Sequence, residues 1–209
     1  MKKGSFYGVG VNDVKGPTEI REQYIDEAGN KKTKTVWRCP YYRAWTGMLE
    51  RCYSEAAKRR RPTYAECSVC DEWLIFSVFK AWMQTQDFEG KHLDKDILSP
   101  GNKVYSPSVC VFVTHAVNNF ITDRGASRGK WRIGVTWHQR INKFEARCHS
   151  QLTNKSENLG YFGSEEEAHE AWRKRKHELA CQLAEQQTDS RVAQALIQRY
   201  ASTRQEVGK

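Results

Sequence analysis

Apolar residues recur along the chain with two periods, and these periods separate helices from strands. Between Tyr41 and Tyr53, Tyr42, Trp45, Leu49 and Cys52 fall at helical spacing, and the basic run Lys58 to Arg61 closes the element before Pro62. That run reads equally as a solvated helix end or as a phosphate contact. Asp71 is the expected N-cap of a helix over "EWLIFSVFKAWMQTQ", which is too apolar for a surface element and is therefore core. "HAVNNFIT" divides into an apolar face of Ala116, Val117, Phe120 and Ile121 and a polar face of His115, Asn118, Asn119 and Thr122. Ser164 with Glu167 three places on forms a capping box for a long helix striped by Ala168, Ala171, Trp172, Leu179 and Leu183. From Asp189, the spacing of Val192, Leu196 and Tyr200 predicts a last amphipathic helix, and the tail "TRQEVGK" frays.

Strand patterns fill the intervals. Gly29-Asn30 stands between β-rich stretches in "EQYIDEAGNKKTKTVW", the signature of a hairpin, and the segment before residue 37 is expected to lie against the first domain. "LDKDILSPGNKVYSPSVCVFVTHAVNNF" reads as a short strand, a Gly-Asn turn, a second strand and a helix. "WRIGVTWHQ", "KFEARCHSQ" and "SENLGYF" alternate like three strands, while "ITDRGASRGK" has the composition of a linker and puts a boundary near residue 128. The fold class is therefore α+β. The expected organisation is an N-terminal extension with a hairpin (1–36), a first domain (37–124), a second domain (128–186) and a C-terminal helix and tail (187–209).

Composition narrows the partner. Lys plus Arg number 34 against 25 Asp plus Glu, a formal +9 over 209 residues, which suits a polyanion: nucleic acid or an anionic membrane. No run approaches the roughly 18 apolar residues of a membrane span, and "MKKGSFYGVG" has charge without an apolar region, so a soluble, cytoplasmic chain without a membrane partner is expected. The 7 cysteines are odd in number and scattered, which argues against a disulfide framework. Cys67 and Cys70 have metal spacing, but Cys52 and Cys110, the best further ligands, fit no standard zinc site, so small buried core residues are expected and no structural zinc.

Asp94 and Asp96 alternate with Leu93, Lys95 and Ile97, which places both carboxylates on one face of a strand. Such a pair either holds a divalent cation or simply faces water, and His115 reads either as a solvated helix residue or as an acid–base group. From Arg124 to Arg147 the basic residues Arg124, Arg128, Lys130, Arg132, Arg140, Lys143 and Arg147 face one acid, Glu145, and are interleaved with Trp131, Trp137 and Phe144. Basic and aromatic residues mixed along strands make a nucleic-acid surface, although part of such a face contacts only phosphate or packs.

Two resemblances sharpen this picture. The stretch from Leu49 to Asn118, with "YYRAWTGMLERCY", "PTYAECSVCDEWLIFSVFKAWM", "LDKDILSPGNKVYSPSVCVFV" and "NN", resembles the HNH-type ββα-metal nucleases common in phage genomes and often described as homing endonucleases. The resemblance implies metal-dependent hydrolysis of double-stranded DNA in a bacterial host. Asp94 takes the place of the acid, Lys95 that of the water-activating His, Val109 that of the Asn that orients it, and Asn118 the final position. Asp94 and Asn118 would hold Mg²⁺ or Mn²⁺, and Lys95 or His115 would serve the attacking water or the phosphorane charge. An ordinary Lys with a pKa of about 10.4 is no base at neutral pH, and Val109 cannot orient one.

The stretch "WRIGVTWHQRINKFEARCHSQLTNKSENLGYFGSEEEAHEAW" resembles the Apetala-type DNA-binding domain of ethylene-response factors, a three-stranded antiparallel sheet packed on one helix, which lays its sheet in the major groove. Its reading positions map to Arg132, Trp137, Arg140, Lys143 and Arg147, with Phe144 where a Trp is usual and Ile133 interrupting the common Arg-Gly-Val. The expected chain is thus a DNA endonuclease with a degenerate motif. The rivals are a catalytically inactive DNA-binding regulator or counter-defence protein of the same build, and an RNA-binding protein.

Overall fold

The computed structural model describes residues 5–122 and 130–201. The expected boundary near residue 128, Arg124, Arg128 and the frayed tail lie outside the described residues. Packing divides the chain after Phe112 into two units. The architecture is mixed α+β.

In the first unit, β1 (Ser5–Phe6) pairs antiparallel with β2 (Gly10–Val11). Gly10 is required here. A Cβ at that position would overlap Leu49 and lie 3.1 Å from the Trp45 ring. The hairpin read from Gly29-Asn30 forms as β3 (Glu19–Ile25) and β4 (Lys31–Arg38), closed by Asp26, whose Oδ1 accepts the amides of Ala28 and Asn30 at 3.0 and 2.8 Å. Its strands are solvent-exposed almost throughout. It is β1 that packs, through Phe6 edge-on to Tyr42 and Trp45 at 5.6 and 5.3 Å.

Pro40 opens α1 (Pro40–Tyr53), where its fixed φ and missing N–H suit the first helical position. Trp45, Met48, Leu49 and Cys52 are its buried stripe, and Trp45 Nε1 donates to the carbonyl of Trp73 at 2.7 Å. Ser54 ends α1 and caps α2 (Glu55–Arg60), so the basic run sits at the C-terminal end of a separate short helix. Next come β5 (Ser68–Val69) and α3 (Phe76–Gln84). The single helix expected from Asp71 is not formed. Asp71–Leu74 make a 3-10 turn, Ile75 is extended and bridges Val11, and the new helix is capped from a distance by Asp13, whose carboxylate accepts the amide and hydroxyl of Ser77 at 2.9 and 2.5 Å. Trp73, Phe76, Phe79 and Met83 complete the core with Cys52, Cys67 and Cys110.

The stretch expected as strand, turn and strand contains three strands, β6 (His92–Asp94), β7 (Val104–Tyr105) and β8 (Val111–Val113). β7 leaves to pair in parallel with β5, and β6 pairs with β8. β6 stops at Asp94, so Asp94 and Asp96 do not alternate along one strand face.

The second unit begins with the end of β8 and α4 (His115–Ile121), capped by Thr114 Oγ1, which accepts the amide of Val117 at 3.3 Å. Val117, Phe120 and Ile121 are buried as the periodicity predicts. β9 (Val135–His138), β10 (Lys143–Ser150) and β11 (Lys155–Phe162) form an antiparallel sheet in the order β11-β10-β9, and α5 (Glu165–Ala184) crosses it. Ser164 Oγ accepts the amide of Glu167 at 3.2 Å, the first half of the capping box read from the sequence, while the return bond reaches one residue further back, Glu167 Oε2 accepting the amide of Gly163 at 3.2 Å. Gly134, with φ +80°, sits against the Trp172 ring, where a Cβ would overlap it. α6 (Ser190–Tyr200) buries Val192 and Leu196, and its Arg199 and Tyr200 side chains donate to the carbonyls of Ile121 and Phe120 at 3.2 Å each. Those carbonyls end α4, so α6 satisfies acceptors the helix cannot. Among the described residues no helix is long and apolar enough to cross a membrane.

Candidate nucleic-acid interface

The register of the sheet decides which side chains share a face. Val135 opposes Ala146 and Trp137 opposes Phe144, and this set turns towards α5, where Ala146 and Ala168 are buried. Thr136 opposes Glu145, His138 opposes Lys143, and Tyr161 opposes Glu145 from the other side, so these occupy the face away from the helix. Lys143, Arg147, His149 and Tyr161 are all exposed.

Glu145 organises this face. Its Oε1 accepts Asn158 Nδ2 at 2.9 Å and lies 3.4 Å from Arg147 Nε, while the Arg147 side chain stays 57% exposed. One edge of the guanidinium therefore faces Glu145, and its two Nη groups make no hydrogen bond among the described residues, an arrangement suited to a phosphate or the acceptor edge of guanine. His138 and Tyr161 stand edge to face at 5.5 Å beside it, and Arg140 is exposed in the turn before β10, where Asn142 takes a left-handed conformation. The alternation of exposed and buried residues in "KFEARCHS" carried this face in the sequence, but His149 and Tyr161 were not singled out.

Two of the expected readers are placed differently. Trp137 is a correction: it lies on the helix side, its ring 4.7 Å from Phe144, because its parity in β9 matches Val135. Arg132 meets the acidic first turn of α5: its amide donates to Glu165 Oε1 at 2.6 Å and its guanidinium lies 3.4 Å from Glu166. At 52% side-chain exposure that ion pair is weak enough for a phosphate to replace.

The candidate catalytic residues fall in both units. Asp94 and Lys95 belong to the first; His115, whose Nε2 is 2.8 Å from Asn119 Nδ2, and the half-buried Asn118 lie on α4 of the second. Asp94 Oδ1 accepts the amides of Asp96 and Ile97 at 2.8 and 2.7 Å, which is why the strand ends there. Burial raises its carboxyl above the usual range, although those two amides pull it back. Lys95 is buried, and its ammonium donates to Asp96 Oδ1 and to the carbonyl of Asn102 at 2.6 Å each. Burial opposes its charge, but the bond to Asp96 and the charge of Asp96 outweigh this and hold the ammonium above its ordinary value. This direction disfavours Lys95 as a base for water, and its bonds close the turn. Asn102 completes the clasp, donating to the carbonyls of Lys95 and Val104 at 3.1 and 2.6 Å and accepting the Val104 amide at 3.2 Å. Val109, in the orienting position, packs against the apolar core.

A divalent cation fits this turn poorly. Asp94 brings one oxygen without a hydrogen bond among the described residues, Asp96 is already bound to an ammonium, and that ammonium would repel the ion. Among the described residues no three His, Cys, Asp or Glu side chains group to hold a metal. Cys67 and Cys110 are buried and Cys70 is half-buried; burial pushes the Cys52 and Cys110 thiols up to about 12. Compared with protein-family models, curated proteins and solved structures, the chain finds no match.

Proposed function

We propose that the chain is a DNA-binding protein whose second unit lays the outer face of its three-stranded sheet on duplex DNA, with Lys143 and Arg147 as principal contacts and Arg140 and Arg132 on flanking phosphates. The observation that carries this reading is the guanidinium of Arg147, its Nε 3.4 Å from Glu145 on an exposed face and its Nη groups without a hydrogen bond among the described residues. The resemblance to Apetala-type domains supports the reading, since it implies a three-stranded antiparallel sheet with one helix and the chain has such a sheet followed by α5. Tyr161 and His149 extend the face and offer an aromatic surface and a further donor or acceptor.

A Lys143→Ala, Arg147→Ala double variant of the full chain tests it. Each lost phosphate contact lowers the log–log salt slope by about 0.9, so the double variant should bind duplex DNA more weakly and with a slope smaller by about 2. Unchanged duplex affinity, or duplex RNA displacing the DNA at equal concentration, sinks the proposal.

Metal-dependent DNA cleavage is the second reading. What supports it is the order along the chain: β6 ends on an acid, pairs with β8, and α4 comes one residue after β8. What weighs against it is the commitment of Lys95 and Asp94 to the turn, which favours a regulator that binds without cutting.

A further inference from the structure

The first unit contains a groove of about 1200 Å³ that neither the acid-rich turn nor the apolar core accounts for. Its floor is one face of α1. Arg43, Gly47, Glu50 and Arg51 fall at helical spacings and all line it. Gly47 is unusual there. A glycine inside a helix weakens it, yet a Cβ at this position would meet no atom of the chain within 4 Å, so internal packing does not require the glycine. What a glycine does provide is a smooth helix surface that something else can approach closely.

The two arginines one turn to either side supply charge. Arg51 lies 5.4 Å from the Tyr105 ring and 6.0 Å from the Tyr64 ring, and its Nε donates to the Tyr105 hydroxyl at 3.0 Å. No carboxylate pairs with it among the described residues, so its Nη groups lack an anion. Arg43 is exposed and its side chain has no hydrogen bond or ion pair among the described residues. The acids of the groove are largely paired: Glu19 with Arg21 and Arg38, which also line it, and Glu50 with Arg60, leaving Glu89. The walls are aromatic. Tyr7 is 47% exposed and held in a left-handed conformation (φ 52°) that bulky residues rarely adopt, and Tyr41 stands 5.2 Å from Phe88.

We propose that this groove takes a single strand of nucleic acid, with phosphates on Arg43 and Arg51, bases against Tyr7 and Tyr41, and Gly47 letting the strand lie on the helix. An exposed ring at Tyr7 and a half-buried one at Tyr41, beside the exposed Arg43 and half-buried Arg51 guanidinium groups that have no carboxylate partner among the described residues, match unpaired bases joined by phosphates, whereas a duplex keeps its base faces stacked. The volume exceeds that of ordinary small-molecule pockets, roughly 300 to 1,000 Å³, which suits a polymer. The proposal does not rest on the sheet of the second unit.

The test uses the full chain carrying Lys143→Ala and Arg147→Ala, so that the sheet contributes least, and a labelled oligothymidine of about 12 nucleotides, within the range of single-strand site sizes. Gly47→Ala should raise the melting temperature and weaken oligonucleotide binding together, two changes a purely structural glycine would not combine. Arg43→Ala, at an exposed position, should weaken binding about tenfold while leaving the melting temperature unchanged. Failure of the parent to bind the oligonucleotide, equal binding by both variants, or equal competition by a duplex of the same length overturns the proposal. Competition by polyglutamate as strong as by unlabelled oligothymidine also overturns it and makes an acidic peptide the occupant.

Discussion

Lys176 is a buried cation with no ion pair among the described residues, and replacing it with Met should stabilise the second unit. The residue lies on the face of α5 that packs against α4 and α6, is 8% exposed, and has its ammonium 3.5 Å from the centre of the Phe120 ring and 5.4 Å from that of Tyr200. Burial, aided by the Arg199 charge and opposed by the Cys148 thiol, pushes it down from 10.5 to about 8. A folded-state value below the unfolded one means that the unfolded chain holds the proton more tightly. Below pH 8 the penalty is therefore fully present, and it is relieved as pH rises from about 8 to 10.5. At about 1.4 kcal/mol per pH unit the depression corresponds to about 3 kcal/mol. The ring contact favours the charged form by about 2 kcal/mol when desolvated, so the net gain from Lys176→Met at pH 7 should be about 1 to 3 kcal/mol. Urea unfolding of native chain and variant at pH 7, 8.5 and 10 measures the difference, which should shrink towards zero at the highest pH. A variant less stable than the native chain at pH 7, or a difference that does not change with pH, refutes the reasoning.

Lys95→Met should cost about 1 to 3 kcal/mol, because it removes two charge-assisted hydrogen bonds and leaves the Asn102 carbonyl short of a donor, while Asp96, 44% exposed, returns to water; chemical denaturation reads this directly. Supercoiled plasmid incubated with Mg²⁺ or Mn²⁺ should remain uncut by the native chain. Nicking that disappears in Asp94→Ala would instead establish the catalytic reading.

Much of the second unit was legible because its signals are local. The cap of α5 involves Ser164 and Glu167, three residues apart, and the stripe from Ala168 to Leu183 repeats a single period. The sheet alternates cleanly because one face meets a helix and the other meets water. The first unit was less legible where its determinants come from far along the chain. Asp13 caps a helix through Ser77, 64 residues later, so the apolar run after Asp71 breaks at a point its own residues do not mark. The groove joins the N-terminal turn, one face of α1 and the segment around Phe88, and only Gly47, out of place in a helix, hinted at it. Trp137 was misplaced for a simpler reason. Aromatic and basic residues alternate in type along β9 and β10, but parity places them on opposite faces.

The acid-rich turn shows why residue type alone misassigns chemistry. Asp, Lys and Asn are the groups a phosphodiester-cleaving site needs, and they are also the groups that close an irregular loop. What separates the two uses is the hydrogen-bonding capacity left over. Asn102 commits both amide protons and its oxygen to Lys95 and Val104, and Asp94 commits one oxygen to two amides. Lys95 gives two of its three protons to Asp96 and Asn102 within a buried site. Breaking the bonds of Asp94 to the Asp96 and Ile97 amides, of Lys95 to the Asn102 carbonyl or of Asn102 to the Lys95 carbonyl would leave a half-buried backbone group without that partner, a cost that any use of these side chains by a substrate must meet. On the sheet the balance is reversed. Arg147 is held through one nitrogen, and Lys143 and Arg140 make no side-chain bond among the described residues, so a polyanion can engage them without opening the fold. The contrast between unused donors on the sheet and used ones in the turn is the ground on which the proposal of binding through the second unit rests.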